Sequence, residues 1–208
     1  MSTSYEPMSV RRRQLIEAAV RVVTRDGVAK ASTRRIADEA GINLGTVHYV
    51  FGSKEKLLSA VCSEGYESEG ALNTAKQLPD GCGVRVCFRA VIEGFLHSLH
   101  TQTDLAIAQY EVLFWVRRSD GEGAIAREVY TEYLRTITEL FRRCATPDEQ
   151  HLDPSLLARY AFMIVDGMYL QFITVGTSVF PTELGALTEA MVTFATSLSG
   201  VQGQPTGI

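Results

Sequence analysis

The side chains able to do chemistry are few in this chain, and most are poorly grouped. His97 and His100, spaced i, i+3 in HSLH, could share a helix face and hold a metal. No third ligand accompanies them, so a locally satisfied surface pair accounts for the spacing. Cys62, Cys82, Cys87 and Cys144 match no zinc spacing, and Cys82 to Cys87 is too wide for a CxxC pair. Reduced thiols packed among apolar neighbours are expected. No Ser-His-Asp set or catalytic carboxylate pair is identifiable, so no enzyme activity, metal or cofactor is expected.

The informative stretch is GINLGTVHYVFGSKEKLL, residues 41–58. Val47, Val50 and Phe51 are spaced to pack inward from one helix, which leaves Gly45, Thr46, His48 and Tyr49 largely outward. Gly45 costs a helix about 1 kcal/mol relative to alanine, a loss that makes sense where backbone must approach another molecule closely. Lys54 falls in the first turn of the next helix, where a cation opposes the helix dipole. A phosphate bound there would offset that cost, because free amide groups and the ammonium would face one anion.

The elements that position these residues are helical. Leu15, Ala18, Ala19, Val22 and Val23 recur at three and four residues and predict an amphipathic helix over 9–26, stopped by Gly27. Ser32 caps a helix over 33–40, and Gly41 supplies its left-handed end. Asn43 caps a third helix over 44–51, with Ile42 and Val47 placed as a hydrophobic staple. Ser53 caps a fourth. Beyond Pro79, helices are predicted near 83–101, 103–118, 123–145, 154–177 and 183–199, with no alternating strand runs. Two short helices joined by Gly41, Ile42 and Asn43 match a helix-turn-helix, whose second helix enters the DNA major groove.

From STRRIADEAG (32–41) through INLGTVHYVFGSKEKLL (42–58), the chain resembles the DNA-binding domain of the TetR family of bacterial transcription regulators. The family's cap residue, Gly-Thr pair, aromatic pair, Phe and Ser-Lys-Glu fall at Asn43, Gly45 with Thr46, His48 with Tyr49, Phe51 and Ser53 to Glu55. The position of His48 is usually tyrosine in the family. Sorted by role, Ser32, Thr33, Arg34 or Arg35, Tyr49 and Lys54 are the candidates for phosphates. Leu44, Thr46 and His48, with Gly45 allowing close approach, are the candidates for base edges. Arg11 to Arg13 either add backbone or minor-groove contacts or are simply solvated. Phe51 and Ile36 are core.

The resemblance implies an all-α fold with an N-terminal helix-turn-helix domain (residues 1–53) and a C-terminal helical ligand-binding and dimerisation bundle (54–200), followed by a frayed tail (201–208). It also implies a double-stranded DNA operator, a small-molecule effector, release of a repressor from a near-palindromic site, and a homodimer paired through the last two helices. Two features of the sequence support this independently. Residues 1–60 carry ten Lys or Arg against six Asp or Glu, while 61–208 carry ten against eighteen, which places a basic module on an acidic body. On 183–199, Leu184, Leu187, Met191, Phe194 and Leu198 recur at helical spacing with Ala186, Ala190 and Ala195 beside them, more apolar surface than one packed side requires.

For the effector, the candidates are Gln109, Tyr110, Glu111, Phe114 and Trp115 in LAIAQYEVLFWV, and Met163, Asp166 and Tyr169 in ARYAFMIVDGMYLQFI. Polar groups on apolar faces need partners, which a neighbouring helix, a second subunit or a ligand would supply. Of the two faces Ala108–Glu111–Trp115 and Gln109–Val112–Val116, one is expected to line a cavity and the other to pack as core. No run reaches about 18 uninterrupted apolar residues, so no membrane partner and a cytoplasmic location are expected. The alternative is an all-helical carrier or enzyme without specific DNA binding.

Overall fold

The computed structural model describes residues 7–64, 71–119, 121–176 and 184–199. Helix α1, Met8–Asp26, buries Leu15, Ala18, Ala19, Val22 and Val23 on one face. It stops at Gly27, whose φ of 80° leads the chain into a 3₁₀ turn, Val28–Lys30. Helix α2, Thr33–Ala40, is capped by Ser32, whose Oγ accepts from the Arg35 amide at 3.2 Å. It ends on Gly41 in the left-handed region, φ 66°. Helix α3, Leu44–Phe51, is capped by Asn43. Ser53 Oγ accepts from the Lys56 amide and opens α4, Lys54–Glu64.

The chain continues through α5 (Asn73–Lys76), α6 (Val84–Thr101), α7 (Thr103–Ser119), α8 (Ala124–Cys144), a 3₁₀ turn (Pro147–Glu149), α9 (Pro154–Val175) and α10 (Leu184–Ser199). The described residues contain no strand. The all-α reading and the bounds of the long helices therefore agree with the sequence pattern. The pattern did not reveal α5 or the 3₁₀ turns, because one turn is too short to display a period.

The packing forms two compact units, Met1–Ser68 with Gln102–Thr131, and Glu69–Thr101 with Glu132–Ile208. Helix α4 buries Leu57, Leu58 and Val61 and packs on α1 and α7 within the first unit. The segment 201–208 lies outside the described residues.

In the first unit α1 packs on α2, α4 and α7, with Ile36, Ala37, Val47 and Phe51 closing the core. Ion pairs fasten α2 to α1: Glu39 meets Arg21 and Arg25, each at 3.0 Å, and Arg35 meets Asp26 at 3.0 Å. Hydrogen bonds from Arg21 and Arg25 hold the Glu39 carboxyl below the usual carboxylate range.

In the second unit α6, α9 and α10 pack on one another. Phe95 meets the rings of Phe162 and Tyr169 edge-on, at 6.0 and 6.2 Å, and the Tyr169 hydroxyl donates to the Phe95 carbonyl at 3.3 Å. Gly94 is required by space, because a Cβ there would fall 1.8 Å from the Ala71 carbonyl oxygen. The amides of Val84 and Thr146 both donate to Glu149 Oε2 at 3.0 Å, which ties the start of α6 to the second 3₁₀ turn. Helix α9 is long and apolar enough to cross a membrane by length and composition. Here Leu157, Ala161, Phe162, Val165 and Tyr169 bury it as a core helix, and Asp166 sits half-buried among them in sequence.

Candidate nucleic-acid interface

Helix α3 buries Val47 and Phe51 and turns its polar residues outward. Tyr49 is 78% exposed, Gly45 and His48 are exposed, and Leu44 and Thr46 are half-buried. The helix owes its direction to its cap, since Asn43 Oδ1 accepts from the Gly45 amide at 2.7 Å. This cap gives Gly45 a local reason besides close approach to a partner: a Cβ at this position would lie 3.1 Å from that same oxygen.

At the start of α2, Ser32 is exposed but spends its oxygen on the cap, Thr33 is half-buried and Arg34 is exposed. Arg35 is exposed while paired to Asp26, so an anion would have to share it. In the arginine run, Arg12 lays its guanidinium 4.6 Å above the Phe51 ring and so buttresses α3 from behind.

Lys54 does not stand open at the helix start, as the sequence suggests. Its ammonium lies 4.3 Å over the Trp115 ring and 3.5 Å from the Val28 carbonyl oxygen. Burial lowers its pKa from the ordinary lysine value, against a smaller upward pull from Glu55. A cation in the first turn of α4 is thus explained within the chain, by an aromatic face and a carbonyl that offset the opposing dipole.

A model of the bacterial regulatory proteins of the tetR family matches residues 15–61, which span α1 to α4. The nicotine-responsive transcriptional repressor HdnoR of Paenarthrobacter nicotinovorans is 34% identical over 163 residues, covering 78% of this chain and 83% of that protein. The chain belongs to the TetR family. A second relative, the HTH-type transcriptional regulator BetI of Escherichia coli K12, is 27% identical over 191 residues, covering 89% of this chain and 93% of its own. A TetR transcriptional regulator from Rhodococcus sp. RHA1 shares the fold at a TM-score of 0.64 and 17% identity, covering 96% of this chain and all of that one. This TetR-family protein is accordingly a ligand-responsive, DNA-binding transcriptional regulator and not an enzyme.

The effector candidates of the TetR-family body fall into different compact units, with 109–115 in the first and 163–169 in the second. On α7, Gln109, Val112 and Val116 are the buried face. Gln109 is 4% exposed and its Nε2 donates to no partner among the described residues. On the other face Glu111 accepts from the Val28 amide at 3.2 Å, and Trp115 lies under Lys54. Tyr110 is half-buried against the half-exposed Phe114, ring centroids 6.2 Å apart. In the second unit Tyr169 is buried with its hydroxyl committed to Phe95, and Asp166 is half-buried. Met163 is 60% exposed and lies at helical spacing with Gly167 and Leu170 on an outward stripe of α9.

The histidine pair does not converge on a metal site. His100 Nδ1 lies 2.8 Å from the Leu96 carbonyl oxygen and its ring stands edge-on to Phe172, while His97 is exposed. All four cysteines are free thiols, with Cys62, Cys87 and Cys144 buried.

Proposed function

We propose that this regulator is a repressor that binds a near-palindromic duplex as a homodimer and leaves it when a small-molecule effector occupies the helical body. The observation that carries the reading is α3, a short helix capped at Asn43 and buttressed at Phe51 whose Thr46, His48 and Tyr49 are left to face outward. Leu44, Gly45, Thr46 and His48 read base edges in the major groove. Tyr49, Ser32, Thr33, Arg34 and Arg35 hold phosphates, as does Lys54 from its place over the Trp115 ring.

The last two helices supply the dimer. Met163 and Leu170 on α9 and Phe194 on α10 are 60%, 59% and 61% exposed, a larger apolar offering than scattered surface side chains make. Two copies joined there place two α3 helices in successive major grooves about 34 to 36 Å apart. The effector acts only so far as it prefers the state with lower DNA affinity. The nicotine-responsive relative supports a small organic molecule as effector, with Gln109 of the first unit as a polar anchor, and the place of action is the cytoplasm.

The test is selection of duplexes from a randomised pool, footprinting of the selected site, and light scattering of the wild type and Leu170→Glu. An inverted-repeat footprint bound by a dimer, lost together with the dimer in Leu170→Glu, supports the reading. A monomeric wild type at micromolar concentration, or equal affinity for scrambled duplexes at physiological salt, overturns it.

A further inference from the structure

The segment that reads DNA enters through the Val28–Lys30 turn and leaves through Gly52, Ser53 and Lys54. Both ends are held by one face of α7. At the entry, Glu111 Oε2 accepts a hydrogen bond from the Val28 amide at 3.2 Å, and Gly27, with its φ of 80°, delivers that amide to the carboxylate. At the exit, Lys54 lies over the ring of Trp115, one helical turn from Glu111. Its ammonium, 3.5 Å from the Val28 carbonyl oxygen, closes the loop between the two ends.

This arrangement has a cost that folding alone does not require. Glu111 is exposed and could be solvated at no cost, and a lysine in the first turn of α4 works against the helix dipole. Neither residue adds to the core of α7, which Ala108, Gln109, Val112 and Val116 already provide. What the two contacts do fix is the position of α2 and α3 relative to α7, because α2 begins three residues after the Val28–Lys30 turn ends and α3 ends three residues before Lys54.

We propose that Glu111 and Trp115 are positioning residues for DNA recognition, a two-point clamp on α7 that holds both ends of the α2–α3 segment and so sets operator affinity. The proposal rests on the reading of α3 as the recognition helix. Lys54 is the shared element. A phosphate docking beside its ammonium leaves the Trp115 ring beneath it, so the clamp stays closed on DNA and the tryptophan reports the change in charge above it. Displacement of α7 by any cause moves both ends together.

The experiment uses the full chain and the duplex that the wild type selects from a randomised pool, with an unrelated duplex of equal length as control. Glu111→Ala is expected to weaken the selected duplex about tenfold, as loss of a charge-assisted hydrogen bond would, and to speed hydrogen exchange at the Val28 amide. The control duplex should be bound as before. Glu111→Gln, whose amide oxygen can still accept from Val28, should recover most of the affinity. Trp115→Leu should weaken binding like Glu111→Ala, and Trp115→Phe, which keeps a ring under the ammonium, should be milder. In the wild type, Trp115 emission should change on adding the selected duplex and stay unchanged in Lys54→Met.

Wild-type affinity in Glu111→Ala and Trp115→Leu would overturn the proposal. So would equal losses for selected and control duplexes that track the loss in melting temperature, since that is a stability effect. A wild type that selects no sequence would instead bring down the recognition-helix reading itself, and the clamp with it.

Discussion

Gly45 has two competing explanations, and a pair of substitutions separates them. One holds that the glycine lets the α3 backbone come close to DNA; the other that it makes room for the Asn43 cap, whose oxygen would lie 3.1 Å from a new Cβ. Gly45→Ala should gain about 1 kcal/mol of helix propensity while pinching a cap worth about 1 kcal/mol, so the free protein should change by under about 1 kcal/mol. In an Asn43→Ala background the cap is already gone, and the same substitution should stabilise by about 1 kcal/mol. The coupling between the positions is therefore expected to be about 1 kcal/mol, within reach of urea unfolding of the four proteins. Affinity for the selected duplex should fall in Gly45→Ala in both backgrounds, because the backbone approach to DNA does not depend on the cap. Equal stability changes in the two backgrounds would refute the crowding argument. Full operator affinity in Gly45→Ala would refute the close approach.

The remaining predictions concern the body. Gly94→Ala should destabilise by about 3 kcal/mol or more, since its Cβ meets the Ala71 carbonyl at 1.8 Å and either α6 or residue 71 must move; a melting curve close to wild type would refute this. Burial pushes the Glu149 carboxyl up, but the amides of Thr146 and Val84 outweigh it and hold the pKa below the usual value. Its stabilisation is therefore present above the unfolded pKa and lost as pH falls through the folded one, and Glu149→Ala should flatten stability measured from pH 7 down to 3. Burial pushes the Cys62 thiol up to about 12, so the folded state holds that proton more tightly, and stability should decline as pH rises past the ordinary thiol range. A thiol reagent at neutral pH should label Cys82 first and slowly, its pKa being pushed up to about 11, with Cys62, Cys87 and Cys144 following only on unfolding.

Much of this molecule is local chemistry and could be read directly from the chain. The caps Ser32 and Asn43, the left-handed Gly41 and the three-and-four spacing of α1 act within a few residues, so the helix-turn-helix and its outward Thr46, His48 and Tyr49 were legible before any fold was known. The long helices of the body were legible for the same reason, because a periodic apolar face survives whatever it packs against. Partnership across the fold was not legible. Lys54 has a cost at its helix start that the sequence shows, but a phosphate and an aromatic face offset that cost equally well, and only the packing of α7 on α4 supplied Trp115. Likewise the faces of α7 are nearly equivalent as patterns. Tertiary structure buried Gln109 with Val112 and Val116, turned Glu111 toward an amide 83 residues away, and put Met163 outside, because side-chain partners are chosen by distance in space while periodicity records only position along one helix.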